Sequence, residues 1–396
     1  MSPERIKELS RQYFEHVRTL RRHLHSHPEL SFQEYETAAF VAEELRNMGL
    51  QPHTGIAGTG VTAIIEGQAG SAVIALRADM DALPIQEENE VEYRSQHDGV
   101  MHACGHDVHT SSLLGAARIL QETKDNWRGS IRLIFQPGEE KLPGGASTMI
   151  AEGVLKNPSV DGIFGQHAFT PYKVGTVAFC PGRMMASTDE LYLTVRGKGG
   201  HAAYPHLLKD PVPVAARIID ALHQITGRLI SPLEPAVVSI GKVEARGATN
   251  VIPDEVHMEG TVRAMNEDIR NTILEAVERI TRQTAAASGM EVVVDIRRGY
   301  PSLVNDVEMT GRAIARAENY LGKEQVFLAE PRMGAEDFAF YSQEIPACFY
   351  RLGTGNPEKG ITSFIHTPTF DIDEDALMTG MGLMAWNAIE ELQFRS

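Results

Sequence analysis

The amino-acid sequence predicts an α/β fold. A large domain carries a mostly parallel, helix-covered sheet, and a smaller α+β unit of the split βαβ, ferredoxin-like kind is inserted in it. Three observations predict this. Short apolar runs alternate with helical stretches from the N-terminus onward, the texture changes near Asp189 to β-α-β-β-α-β, and the first texture returns near Gly299. The large domain is therefore expected at 1–184 and 299–396, with the insert at 185–298.

The elements follow in order. Ile6, Leu9, Tyr13 and Val17 recur at helical spacing, and residues 38–48 repeat that pattern after the turn at Pro28. Strands are expected at 61–65, 73–77, 131–135 and 162–166, with a helix at 110–122 among them. In the insert, 191–196 reads as a strand and 210–228 as a helix. Residues 237–243 and 256–262 alternate like a half-exposed antiparallel pair, 268–288 is helical, and 291–296 is the last strand.

Composition narrows the function. The 396 residues carry a formal net charge of −16, which argues against a binder of phosphate backbones, so no nucleic-acid partner is expected. The three cysteines, Cys104, Cys180 and Cys348, are too few and odd in number for a disulfide framework. They fit a reducing, cytoplasmic setting, where a cysteine serves as a metal ligand or sits in a core. The N-terminal stretch is charged and has no apolar core of a secretory signal. No run of about 18 apolar residues occurs, so no membrane span is expected.

The strongest chemical signal is MHACGHDVH, 101–109, which packs His102, Cys104, His106 and His109 around a glycine. Thiolate and imidazole are preferred ligands of zinc and its neighbours, and Gly105 permits the tight turn that lets Cys104 and His106 face one point. The competing reading is a histidine-rich surface loop with one buried cysteine. FQPGEEK, 135–141, puts Glu139 and Glu140 at the exit of an apolar strand. Adjacent carboxylates repel unless a cation or proton compensates, so one suits a metal and the other a proton. A solvated turn is the alternative. RADMDALP, 77–84, ends a strand in Asp79 and Asp81, where α/β folds place ligands. GQHAF and SFIHTPTF add His167 and His366, either of which alone would more often be structural. Several strands each ending in a metal-ligating residue shift that balance. No G-x-S-x-G elbow is present to support a serine mechanism.

These segments, with HSHPELSFQE, GKGGHAAYPH, NVIPD, GTVRA, MGAEDFAFY and IHTP, resemble the amidohydrolase branch of the dinuclear metallopeptidase family. That branch includes aminoacylases, hippurate hydrolases, plant auxin-conjugate hydrolases and carboxypeptidase G-type enzymes. The resemblance spans nearly the whole chain and agrees in order and spacing.

It implies a metal-dependent amidohydrolase that cleaves the amide bond of a small N-acyl amino acid. Dipeptidase or carboxypeptidase activity at the same centre is the alternative, and a silent metal-binding protein the more distant one. Cys104, His106, Glu140, His167 and His366 are implied as ligands of two divalent ions per subunit (Zn, Mn, Co or Ni), and Glu139 as the general base. Asp81 matches an aspartate that orients a ligand histidine. The wider family commonly has a histidine ligand at the position of Asp79, so Asp79 departs from its pattern. The insert is implied to be a lid and dimerisation domain of a homodimer. Its His201 would reach a partner's site, and Asn250 and Arg263 would hold the substrate carboxylate. For His201 the plainer reading is a cap on a glycine turn, and for Arg263 a surface ion pair.

Overall fold

The computed structural model describes residues 1–395. The chain divides into two compact units: Met1–Gly182 with Val304–Glu330 and Asp337–Ser396, and Arg183–Leu303 with Pro331–Glu336. The second unit thus extends past 298 and takes in a short later segment.

The first unit opens with helix α1, Pro3–Ser26. Ser2 accepts a hydrogen bond from the Arg5 amide and Pro3 stands in the first turn, a start signal of the usual kind. Its apolar stripe, Ile6, Leu9, Val17, Leu20 and Leu24, is buried. Helix α2, Tyr35–Asn47, begins three residues before the periodicity suggested. Strands β1 (His53–Ile56), β2 (Gly60–Glu66) and β3 (Gln68–Asp79) lead to helix α3, His106–Glu122, followed by β4 (Arg128–Gln136), β5 (Gly162–Lys173) and β6 (Val177–Phe179). With the strands Val326–Leu328 and Ala347–Gly355 they make one eight-stranded sheet, ordered β1-β2-β4-β3-β5, then Ala347–Gly355, β6 and Val326–Leu328. The four central strands are parallel, and β1 and β2 add antiparallel pairs at one side. Helices α1, α3 and Ala376–Arg395 pack together, and the last is buried almost all round.

Helix α3 starts four residues earlier than its apolar period indicates. Gly105, at φ +89°, turns the chain into the helix, so His106 and Asp107 already belong to the first turn. Parallel strands all point one way, so Asp79 at the end of β3, the turn after β4 and His167 in β5 gather along one edge of the sheet.

The second unit is a four-stranded antiparallel sheet with helices Pro211–His223 and Glu267–Ala287 packed on it. Strands Asp189–Arg196, Ala236–Glu244, Glu255–Ala264 and Glu291–Arg298 stand in the spatial order second, third, first, fourth, the split βαβ arrangement. Along Asp189–Arg196 the residues Asp189, Leu191, Leu193 and Val195 are buried and their neighbours are not. The helix expected over 210–228 is interrupted at Gln224 and resumes as the short piece Ile225–Arg228. Arg270 ties together the first strand's start and the last strand's end, which meet at one edge of this unit's sheet. Its guanidinium donates to both oxygens of Asp189 (2.9 and 2.6 Å) and to the Gly299 carbonyl (3.0 Å).

Candidate metal centre

Four segments of the first unit deliver the candidate ligands. Cys104 ends the loop before α3, and a Cβ on the neighbouring Gly105 would meet Ala168 Cβ at 2.7 Å, so only glycine lets the loop lie this close to β5. Cys104 Sγ lies 3.4 Å from His167 Nε2 and 3.3 Å from His366 Nε2. His366 Nε2 lies 3.1 Å from Glu140 Oε1, and His106 Nε2 lies 4.0 Å from the same oxygen. His366 adopts φ +62°, unusual for a residue with a side chain, and its amide donates to the Ala103 carbonyl at 2.7 Å. Strain of this kind is held by its surroundings and clusters at functional sites.

Two of the candidate histidines have the far side of the ring fixed. His106 Nδ1 donates to Asp81 Oδ1 at 3.2 Å, and His167 Nδ1 donates to the Ala168 carbonyl at 2.7 Å, so both rings turn Nε2 toward the cluster. Asp81 accepts four hydrogen bonds in all, the others from Ser31 Oγ (2.6 Å) and the Glu139 and Glu140 amides (3.0 and 2.9 Å). One carboxylate therefore orients a histidine and holds the backbone of both glutamates. The Asp337 amide donates to Glu139 Oε1 at 3.3 Å. Behind the cluster, Arg77 bridges Asp79 and Asp337 at 2.6 Å each. At the start of α3, Asp107 Oδ2 accepts from Arg21 Nε (2.7 Å) and His25 Nδ1 (2.8 Å), which ties the helix to α1.

The other two histidines of the motif do not join the cluster in the same way. His109 has both nitrogens committed: Nδ1 donates to Asp79 Oδ1 at 2.6 Å, and Nε2 accepts from the Ala168 amide at 2.7 Å. His102 is buried beside His25, and burial pushes it down to about 4, a neutral ring. Asp79 likewise has both oxygens engaged, by His109 and Arg77.

Electrostatics ask for cations here. Burial opposes the charge on Asp79, but Arg77, His106 and His109 overcome it and hold the carboxyl well below the usual range. Burial would lower His106, yet Asp79, Asp81 and Glu140 push it up to about 10. Burial, then Glu140 and Glu139, drive the Cys104 thiol well above its ordinary value, and burial holds His167 well below the histidine range. The rises at His106 and Cys104 are the signs of neighbouring carboxylates, while Arg77 with two histidines sets Asp79 and burial sets His167; a bound divalent ion would reverse the sign for the thiol. The side chains fit such ions: His106 Nε2 is buried without a hydrogen-bond partner, and thiol, imidazole and carboxylate donors converge within 4.8 Å in the sets Cys104–His106–His167, Cys104–Glu140–His366 and His106–Glu139–Glu140.

The model of peptidase family M20/M25/M40 matches residues 75–388. The chain belongs to this family. An N-acetyl-L-cysteine deacetylase of Bacillus subtilis is 42% identical over 359 residues, 91% of this chain and 84% of its own. Thermostable carboxypeptidase 1 of Saccharolobus solfataricus is 38% identical over 380 residues, 95% of each. Among solved structures, a dinuclear metal binding peptidase of the M20 family from Bacillus subtilis superposes with a TM-score of 0.84 at 37% identity, covering 97% of this chain and 99% of that one. This M20 member is a hydrolase with an α/β catalytic domain and clusters of metal-ligating residues.

The remaining site candidates lie in the second unit. His201 and Val251 pair across the small ribbon Gly200–His201/Val251–Ile252, and the Ala202 amide donates to the Asn250 carbonyl at 3.0 Å, so His201 and Asn250 are neighbours, both exposed. His201 Nδ1 accepts from the Ala203 amide at 3.2 Å. Arg263 is half-buried in a cavity of about 440 Å³ on the sheet, lined also by Thr188, Glu190, Tyr192, Lys242, Glu259 and Thr261. It donates to Thr261 Oγ1 and to the Val262 carbonyl, and among the described residues it has no carboxylate at ion-pair distance. Ser31, Glu34, Arg77 and Asp337 were not singled out from the sequence. The available signal was a charged or hydroxyl residue placed within otherwise apolar or turn-forming motifs.

Proposed function

We propose that this M20 enzyme hydrolyses the amide bond of N-acyl amino acids, releasing a carboxylic acid and a free amino acid. Cys104, His106, Glu140, His167 and His366 would hold two divalent ions, zinc, manganese, cobalt or nickel. The observation that carries the reading is the convergence of these five donors with Glu139 beside them, its backbone held by Asp81. When bound, the ions supply Lewis acidity toward water and the acyl carbonyl. Glu139 takes the proton of the attacking water on its carboxylate and passes it to the leaving amine nitrogen. The Asp337 amide on Oε1 keeps that carboxylate aimed. Asn250 and Arg263 would bind the free carboxylate of the amino acid. His201 would stabilise the developing oxyanion in the partner's site of a homodimer.

The likeness to a deacetylase of an N-acetyl amino acid supports the substrate class. The likeness to a carboxypeptidase, 38% identical, supports peptide cleavage as the second reading. A cytoplasmic setting is consistent with three buried cysteines that form no disulfide. No helix among the described residues is long and apolar enough to cross a membrane. The test is a panel of N-acetyl and N-benzoyl amino acids and dipeptides on metal-reconstituted enzyme. Preference for the acyl amino acids supports the proposal, and preference for dipeptides replaces it with the second reading.

A further inference from the structure

The segment HPELSFQE, residues 27–34, has no part in the reaction as described, yet it touches both carboxylate turns of the centre. Leu30 bridges to Ala82, the Ala82 amide donates to the Glu29 carbonyl at 2.8 Å, and Ser31 Oγ donates to Asp81. Glu34 is fully buried. Its Oε1 accepts from the amides of Phe32 (2.9 Å) and Gly138 (2.8 Å), and its Oε2 accepts from Thr59 Oγ1 at 2.6 Å.

Local structure does not account for this carboxylate. Glu34 stands at the N-cap position of α2, but its side chain makes no capping bond. Glu29 does that work, accepting from the Glu36 and Thr37 amides at 3.1 and 2.8 Å. Glu34 reaches instead to the residue just before Glu139. There Gly138 adopts φ +60°, and a Cβ on it would lie 2.5 Å from the Phe32 ring. Phe32 itself is at φ +64°, a region bulky residues rarely occupy. Two strained turns thus share one buried carboxyl; burial and Asp81 oppose its charge, and the Thr59 hydroxyl and the amide donors favour it. A carboxylate is costly to bury, so its placement here calls for a purpose beyond packing.

We propose that Glu34 is a positioning residue for Glu139. Its carboxylate locks the Gly138 amide and the Phe32 turn together, and so fixes the backbone from which the Glu139 side chain projects. Asp81 holds the next two amides of the same turn, so three consecutive N–H groups, from Gly138 to Glu140, are tied to two buried carboxylates. The inference rests on Glu139 being the base.

The experiment places Glu34→Ala and Glu34→Gln in the wild-type and in the Glu139→Gln background, and measures kcat, KM, metal content per chain and thermal midpoint. Misplacement of a reacting group by about 1 Å costs up to about 10²-fold, so Glu34→Ala should lower kcat on the order of 10–100-fold, with KM and metal content unchanged. Glu34→Gln should recover part of the loss, because its amide oxygen still accepts from Gly138 while the Thr59 hydroxyl reverses to accept. In the Glu139→Gln background Glu34→Ala should cost nothing further, since coupled residues are non-additive. Unchanged kcat in Glu34→Ala, equal losses in both backgrounds, or a loss that tracks metal content would overturn the proposal. If Glu34→Ala does not fold, Thr59→Val removes one of the three bonds. It should lower kcat several-fold at constant metal content, and no decrease overturns the proposal. Failure of the base assignment shows separately, as near-normal turnover in Glu139→Gln alone.

Discussion

The centre of the first unit and the ribbon of the second treat the same kind of side chain in opposite ways. His167 is buried, its ring set by a 2.7 Å hydrogen bond to a carbonyl, and Cys104 lies within 3.4 Å of it. His201 is exposed, and its ring takes a single 3.2 Å bond from an amide two residues on. Donors for an ion of fixed radius must be in place before it arrives, and burial with supporting hydrogen bonds does that. A histidine that completes a site only when substrate or a second chain is present has no such support in its own unit. The difference separates a preorganised cluster from an exposed histidine that, on the proposed reading, would act only once substrate or a second chain is bound.

The largest expected effect tests the preorganised side. Chelation should abolish activity, and a divalent ion should restore it. Cys104→Ala or His167→Ala should lower the metal content itself, measured by elemental analysis. Full activity in rigorously metal-free protein would remove the basis for treating the cluster as a metal centre.

Next in size is Glu139→Gln. Amide for acid keeps the shape and loses the proton acceptor, and loss of a general base costs on the order of 10²–10⁴-fold in rate. The variant should bind metal at the wild-type level with kcat reduced by that amount. Near-normal kcat with full metal content would show that the proton goes elsewhere.

How far the sequence disclosed this arrangement follows from the physics of each part. Strand and helix alternation, and the change to β-α-β-β-α-β, were readable because burial imposes a period, and the fold class followed. The candidate donors were readable because a thiol, imidazoles and paired carboxylates at strand ends have few other uses in combination, and the fold brings them together. What was not readable is non-local. Nothing near Glu34 in the chain indicates that it serves Gly138, 104 residues away. His109 reads like a ligand from its motif, and only the fold shows that Asp79 and the Ala168 amide take both its nitrogens. The helix start at His106 was missed because a glycine at positive φ, rather than a serine or aspartate cap, turns the chain into α3.

The exposed side is tested first through His201. Loss of one oxyanion donor costs on the order of 10²–10³-fold in kcat, so His201→Ala should fall in that range while metal content and thermal midpoint stay unchanged. Mixing inactive Glu139→Gln chains with inactive His201→Ala chains distinguishes action across a dimer from action within a chain. In the first case one site of a mixed dimer carries both lesions and the other none, so activity reappears. In the second case every site keeps one lesion. Persistent inactivity after verified subunit exchange would leave His201 as a local feature of its glycine turn.

The smallest effect concerns Arg263, which lies between the two extremes. It is half-buried, and its Nη1 is used locally by Thr261 and the Val262 carbonyl, which sets the guanidinium plane. An arginine held in plane in a polar cavity, without a carboxylate partner among the described residues, suits a bidentate anion. Hydrogen bonds to charged groups contribute about 1.5–3 kcal/mol, so Arg263→Met should raise KM for an N-acyl amino acid by about tenfold or more and leave kcat near its starting value. The discriminating substrate is the same compound with its free carboxylate replaced by a neutral amide. If Arg263 binds that carboxylate, wild-type and variant should handle the amide equally, because the lost contact was never made. If the variant loses as much on the amide as on the acid, Arg263 shapes the sheet face rather than reading the substrate. The thermal midpoint separates those outcomes from a folding defect, since a substitution away from buried networks usually changes stability by no more than about 0.5 kcal/mol.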